Sequence, residues 1–405
     1  TYRVSIDDSL RTIKNFRARI VTEDGMSNVA ETGQKTPHLQ FAKTELSMDD
    51  SAHSFYPTGL PAGKWRMFSF PGNLDMSIVQ KYNLEDGHVF YDWNPVLEEW
   101  FKPESIVIGR GYWFKHNYSQ PVIFDNKDTT GYSIPLKDYT IELVQGANMI
   151  GSPFSFPVRA IKSEGVLGPF VYGQGDKEGW RDTTVFEPWA GYAVFSTTSN
   201  GTITFQPFDE APSAPKHSGS SWILELDLVG DMFFDRAGAI GRKNKAEELE
   251  DIFDLPILPS PESLPQIALD VNKDGDFSFN TDFRSLEEFN GLWDVQLQIG
   301  GQEGPLYFKG SMLGGYPREL QVTLVDIPNR NVIEDFTQGR LDIDTKLNSS
   351  YDIKIIAGER SYVVQMVEEI LADIPEQYSL SQNYPNPFNP ITNINYSVPR
   401  SGAVT

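Results

Sequence analysis

A framework of glycines and aromatics occurs twice in this chain. The first copy opens with Gly63-Lys-Trp-Arg-Met-Phe-Ser-Phe-Pro71 and closes with Gly109-Arg-Gly-Tyr-Trp-Phe114. The second opens with Gly146-Ala-Asn-Met-Ile-Gly-Ser-Pro-Phe154 and closes with Pro188-Trp-Ala-Gly-Tyr-Ala-Val-Phe195. The copies are offset by about 80 residues, and self-similarity at a fixed offset means one supersecondary unit used twice. Each Gly-Tyr step reads as a tight turn into a strand whose aromatics pack on the opening strand. Trp65, Trp113 and Trp189 are therefore expected in the core. Tyr91, Trp93 and Trp100 lie in a loop-like stretch and are the candidates for an exposed sugar-binding platform.

Short alternating runs between glycines, prolines and aromatics extend this pattern to the whole chain. The expected fold class is all-β and multidomain, with tandem β-sandwich or immunoglobulin-like modules. Residues 1–62 read as the C-terminal part of a sandwich, with a strand at Arg17-Ala-Arg-Ile-Val-Thr22. Residues 63–135 and 136–207 are the two repeat modules. The Pro- and Ser-rich stretch 208–220 is a linker. Residues 221–373 carry alternation at Trp222–Leu228, Trp293–Ile299, Leu320–Val325 and Tyr351–Ile356, as a further sandwich should. Residues 374–405 form a separate terminal segment. The one helical candidate is Lys243–Phe253.

At 405 residues the chain exceeds one hydrophobic core, and 39% hydrophobic with 13% aromatic residues is a globular composition. A net charge of −22 opposes binding to nucleic acid or an anionic membrane, and suits divalent cations. No apolar run reaches the roughly 18 residues of a membrane span. Without cysteine there are no disulfides, thiolate metal sites or thiol nucleophiles. Five scattered histidines give no pair at zinc-ligand spacing.

Asp270-Val-Asn-Lys-Asp-Gly-Asp276 places oxygen side chains at positions 1, 3, 5 and 7 around a glycine. That is the first half of a calcium loop, with Asp270, Asn272, Asp274 and Asp276 as ligands. Position 12 is Thr281, not Glu, and Asp282 falls one place late. The alternative is a hairpin with strands Gln266–Asp270 and Asp276–Phe279 and a turn at Asn272–Gly275. The acids Asp231, Asp235, Glu247, Glu248, Glu250, Asp251 and Asp254 read as a solvated face. Neither a nucleophile elbow nor a phosphate loop is present.

The end of the chain is the most specific segment. Pro385, Pro387 and Pro390 forbid a helix or central strand, and Asn383, Asn386 and Asn389 suit turns. Ile394, Tyr396 and Val398 then alternate with polar residues, as in one half-buried strand. Leu380, Asn383, Tyr384, Pro385, Asn386, Pro387, Phe388, Asn389 and Pro390, followed by Gly402-Ala-Val-Thr405, resemble the opening of a type IX secretion sorting domain. The repeat likewise resembles paired all-β modules found beside such domains. The resemblance implies export from a Bacteroidota-like cell by the type IX machinery. It also implies an extracellular or outer-membrane-surface location and O-glycosylation at Asp-Thr-Thr or Asp-Ser-Leu tripeptides such as Asp182-Thr-Thr. The sorting domain of this family extends further than Thr405. The expected role is structural or adhesive, with other copies of the chain or surface proteins as partners. No catalysis is expected within these residues. The alternatives are the accessory C-terminal region of a larger secreted peptidase or glycosidase, and a carbohydrate-binding module.

Overall fold

The structure, a computed structural model, describes residues 21–23, 29–31, 40–41, 46–49, 54–72, 87–125, 134–135, 137–207, 221–261, 264–299, 304–343, 345, 350–375, 377–388 and 390–397. Residues 17–20, the linker 208–220, Asn389, Val398 and Gly402–Thr405 lie outside them. The described chain is almost entirely β and forms two compact units, Thr1–Tyr172 with Asp182–Ala214, and Gly173–Arg181 with Pro215–Thr405.

In the first unit, β1 (Val21–Glu23) pairs with β2 (Val29–Glu31), and β3 (Gln40–Phe41) with β8 (Ile134–Pro135). The first repeat copy is a sheet of β4 (Arg66–Ser69), β7 (Gly111–His116), β5 (His88–Asn94) and β6 (Glu99–Phe101), in that spatial order. The second copy repeats the order with β10 (Gly146–Gly151), β14 (Gly191–Ser196) and β12 (Val166–Gln174). After β12 comes β13 (Lys177–Asp182), as β6 comes after β5. A small sheet of β11 (Arg159–Lys162), β15 (Thr202–Gln206) and β9 (Tyr139–Glu142) completes the unit.

The copies agree residue by residue. Met67 lies opposite Trp113 and Phe68 opposite Tyr112, while Met149 lies opposite Ala193 and Ile150 opposite Tyr192. The Tyr112 hydroxyl accepts the Val107 N–H at 2.7 Å, and the Tyr192 hydroxyl accepts the Glu187 N–H at 2.6 Å. Contacts between the copies obey the same exchange. Phe68 bridges Ala190 as Arg110 bridges Ile150. The Ser69 N–H donates to the Trp189 carbonyl at 2.9 Å, and the Gly151 N–H to the Gly109 carbonyl at 3.0 Å. The seam thus has the self-complementary character of a two-fold interface, within one chain. Trp65, Trp113 and Trp189 are all buried.

The second unit is a sandwich. One sheet is ordered β13, β17 (Phe234–Lys243), β16 (Trp222–Gly230), β21 (Leu306–Leu313) and β24 (Arg340–Ile343), with β19 (Thr281–Ser285) parallel to β17. The other is ordered β18 (Gln266–Leu269), β20 (Gly291–Gln298), β25 (Ser350–Gly358), β22 (Gln321–Asp326) and β23 (Asn331–Ile333). Alternation puts Trp222, Leu224, Leu226 and Leu228 in the core against Trp293, Val295 and Leu297. Trp222 and Trp293 meet edge to face at 5.7 Å.

Two expectations fail here. Lys243–Phe253 is not a helix: β17 runs to Lys243 and the chain then turns. The Asp251 carboxylate accepts the N–H groups of Glu247 and Phe253, and Asp254 accepts that of Asp251. These side chains take the amides that a helix would bond internally. The helix is instead α1 (Arg360–Asp373), within the stretch read as sandwich. Its Val363 and Ile370 pack on Val325 and Ile356, on the face of the second sheet opposite the main core.

Candidate functional site

Leu269 and Phe279 close the base of the Asp270 loop, with the Leu269 N–H donating to the Phe279 carbonyl at 2.8 Å. The expected return strand Asp276–Phe279 is reduced to isolated bridges from Phe279 to Leu269 and to Pro256. Lys273 and Gly275 have φ of 61° and 89°, so the chain bends back twice within the loop. Glycine makes the second bend without strain. The buried Asp270 carboxylate accepts the N–H groups of Asp274 at 3.2 Å and Gly275 at 2.7 Å, and Asp274 accepts that of Asp276 at 3.1 Å. Asn272 exchanges two hydrogen bonds with Glu250, at 3.3 and 3.4 Å.

The donors are hard oxygens, as a calcium ion requires. They close on loop amides, and among the described residues no three acidic or histidine side chains gather closely enough to hold an ion. The twelfth position contributes nothing, since the Thr281 hydroxyl is tied to Leu255 and Phe253 and Asp282 pairs with Arg284.

The acids read as a solvated face include buried ones. The Asp254 carboxylate accepts the N–H groups of Phe283 at 2.8 Å and Asp251 at 3.0 Å. Burial, outweighing those bonds and reinforced by Asp282 and Asp251, pushes it up to about 7. Asp235 accepts the N–H groups of Ile267 and Ala237, and burial raises it to about 6. Asp282 is raised by burial too, against the pull of Arg284. One amide on each carboxylate, that of Phe283 on Asp254 and that of Ile267 on Asp235, comes from a strand distant in sequence, and the local pattern carried no signal for this burial.

Tyr91, Trp93 and Trp100 are brought together, at the seam between the repeat copies. Trp93 and Trp100 are cross-strand partners with ring centroids 4.6 Å apart. Tyr91 stacks on Trp65 at 6.1 Å. Trp93 is buried and its Nε1–H donates to the Ala147 carbonyl at 2.8 Å, so its polar atom serves the seam. Tyr91 and Trp100 are half-buried.

The terminal segment forms a short hairpin, β26 (Ser379–Leu380) on β27 (Tyr396–Ser397). Tyr384 and Asn393 exchange backbone bonds at 2.9 and 2.8 Å further in. The strand expected to be half-buried leaves Ile394 and Tyr396 exposed. Leu380, Tyr384 and Phe388 are 76%, 79% and 61% exposed, Asn383 is half-buried, and Pro385, Asn386, Pro387 and Pro390 are exposed.

No family model, curated protein or solved structure matches the chain. Among the described residues no helix is long and apolar enough to cross a membrane.

Proposed function

We propose that the chain is a secreted or surface-displayed structural or adhesive assembly of β modules, with no catalytic centre of its own. Its segment from Tyr378 onward is an export signal read by the type IX machinery. The observation that carries the reading is the Leu380–Pro390 run, held on a hairpin that leaves its apolar side chains exposed. Those side chains contribute almost nothing to the core, so apolar groups held out in solvent suit recognition by another protein and not folding. Removing everything after Asp373 should leave both units folded and keep the protein in the periplasm. Normal arrival at the cell surface after that deletion would refute the assignment.

In the same reading the Asp270 loop takes calcium outside the cell through Asp270, Asn272, Asp274 and Asp276, the first three of which would have to give up their bonds to loop amides and Glu250 to close on the ion. The two backbone bends and the oxygen donors support this. Calcium at a hundred times its dissociation constant would stabilise the second unit by roughly 2.7 kcal/mol. An equal thermal midpoint in calcium and in chelator would remove calcium from the account.

A further inference from the structure

The backbone of the seam does not distinguish the two repeat copies. Ser69 and Gly151 occupy the same place, opposite Gly111 and Gly191 in their sheets. Each donates its N–H across the seam, to the Trp189 and Gly109 carbonyls, and both of those residues are left-handed. Gly111 and Gly191 each admit the facing opening strand. A Cβ on Gly111 would lie 2.7 Å from the Ile150 carbonyl oxygen, and one on Gly191 3.0 Å from that of Phe68. A pairing of first copy with first copy, or of second with second, would therefore meet the same backbone donors, acceptors and glycines.

One carbon atom breaks this equivalence. Ser69 and Gly151 face each other across the pseudo-two-fold axis, since a Cβ on Gly151 would lie 2.1 Å from Ser69 Cβ. The axis has room for one side chain. Ser69 fills it, fully buried, with its hydroxyl on the Ala190 carbonyl at 2.7 Å. Two first copies would bring two serine Cβ atoms to that spacing, whereas carbon atoms rest about 3.5–4 Å apart. Two second copies would bring glycine to glycine, with no Cβ on the axis. We infer that the seam edge of the second copy, formed by β10 and the start of β14, is a self-association surface that the first copy covers within each chain. Its other occupant is the same edge of a second molecule. The form of the seam names that occupant, because a self-complementary contact is what a dimer of identical chains requires.

The test uses the intact chain, light scattering and hydrogen exchange. A tethered partner acts at an effective concentration of about millimolar, so the unaltered chain at roughly 50 μM should be monomeric. Ser69→Val crowds the axis from the first copy alone. It should loosen the seam and give dimers in which the β10 amides stay protected. Gly151→Ala also crowds the axis but leaves its Cβ on the second copy, so it should loosen the seam and stay monomeric. Adding Gly151→Ala to Ser69→Val should abolish the dimer. Ser69→Thr keeps the hydroxyl and adds one methyl group, so its dimers should need about tenfold more chain. It carries the same test if valine unfolds the first unit. Valine leaving the seam intact, or either variant loosening it without dimers, would overturn the proposal. So would dimers that persist with Gly151→Ala, since two Cβ atoms cannot share the axis.

Discussion

The seam between the repeat copies can be broken with one methyl group. A Cβ at Gly151 would stand 2.1 Å from Ser69 Cβ, 2.5 Å from Ser69 Oγ and 3.0 Å from the Arg110 carbonyl. Carbon atoms rest about 3.5–4 Å apart, so the strands must separate by more than an ångström. Separation stretches the Gly151–Gly109 bond at 3.0 Å, the Ser69–Trp189 bond at 2.9 Å and the buried bond from Ser69 Oγ to the Ala190 carbonyl at 2.7 Å. Overpacking costs about 1–3 kcal/mol, and each buried group left unpaired about 1–3 kcal/mol. Partial relaxation should hold the total for Gly151→Ala to about 3–5 kcal/mol. The backbone at Gly151 is not in the left-handed region, so no strain term enters.

The assay is a urea titration followed by tryptophan fluorescence, in which the first unit's transition should move and the second's should not. Gly315→Ala, with nothing within 4 Å of its Cβ, should stay within about 0.5 kcal/mol. Ser69→Gly removes the colliding atoms. In the Gly151→Ala background it should restore about 2 kcal/mol, although alone it destabilises by about 1 kcal/mol through its lost hydroxyl bond. Equal loss from Gly151→Ala and Gly315→Ala, or additivity in the double variant, would refute the seam geometry.

Tyr112→Phe and Tyr192→Phe each strand one backbone N–H, of Val107 and Glu187, and should cost about 1–2 kcal/mol apiece in the same titration. Their losses should agree within about 0.5 kcal/mol if the copies are equivalent. Asp254, raised by burial to about 7 from 3.8, takes up a proton on folding between those values. Its contribution is fully present below about pH 4 and is lost as pH rises through about 7, by up to about 4 kcal/mol. Asp254→Asn should flatten the pH dependence of the second unit's midpoint over that window.

What the sequence disclosed was whatever depends on local pattern. Trp222-Ile-Leu-Glu-Leu-Asp-Leu alternates and is β16, and the Gly-Tyr steps open β7 and β14. The helix was written there too, since Val363, Met366, Val367 and Ile370 fall at helical spacing. It follows Ile353–Gly358 almost without a break, and a strand of buried apolar residues running into an amphipathic helix hides the change of period. The acidic turn at 247–254 misled in the opposite sense, because good helix formers there are outbid by Asp251 and Asp254 for the same amides. The aromatic trio reads as part of a loop but lies on β5 and β6, with Trp93 buried. Its place at the seam depends on Ala147, a residue more than fifty positions away, and composition carries no trace of that.

The remaining prediction concerns Trp189. Gly109 and Trp189 occupy the same place in the two copies, and both are left-handed, with φ of 85° and 71°. Glycine adopts this without cost, while a bulky residue loses roughly 1–2 kcal/mol. Tryptophan is nevertheless held there, because its carbonyl must meet the Ser69 N–H and its buried ring packs edge-on against Phe70 at 4.8 Å. The seam, and not the residue's own preference, sets the conformation. Trp189→Gly should therefore relieve about 1–2 kcal/mol of strain while losing about 3–5 kcal/mol of packing, a net destabilisation of about 2–3 kcal/mol. Trp189→Ala keeps most of the strain and should lose about 1 kcal/mol more than Trp189→Gly. If alanine proves the milder substitution, the left-handed backbone at this position is wrong, and with it the matching of Trp189 to Gly109.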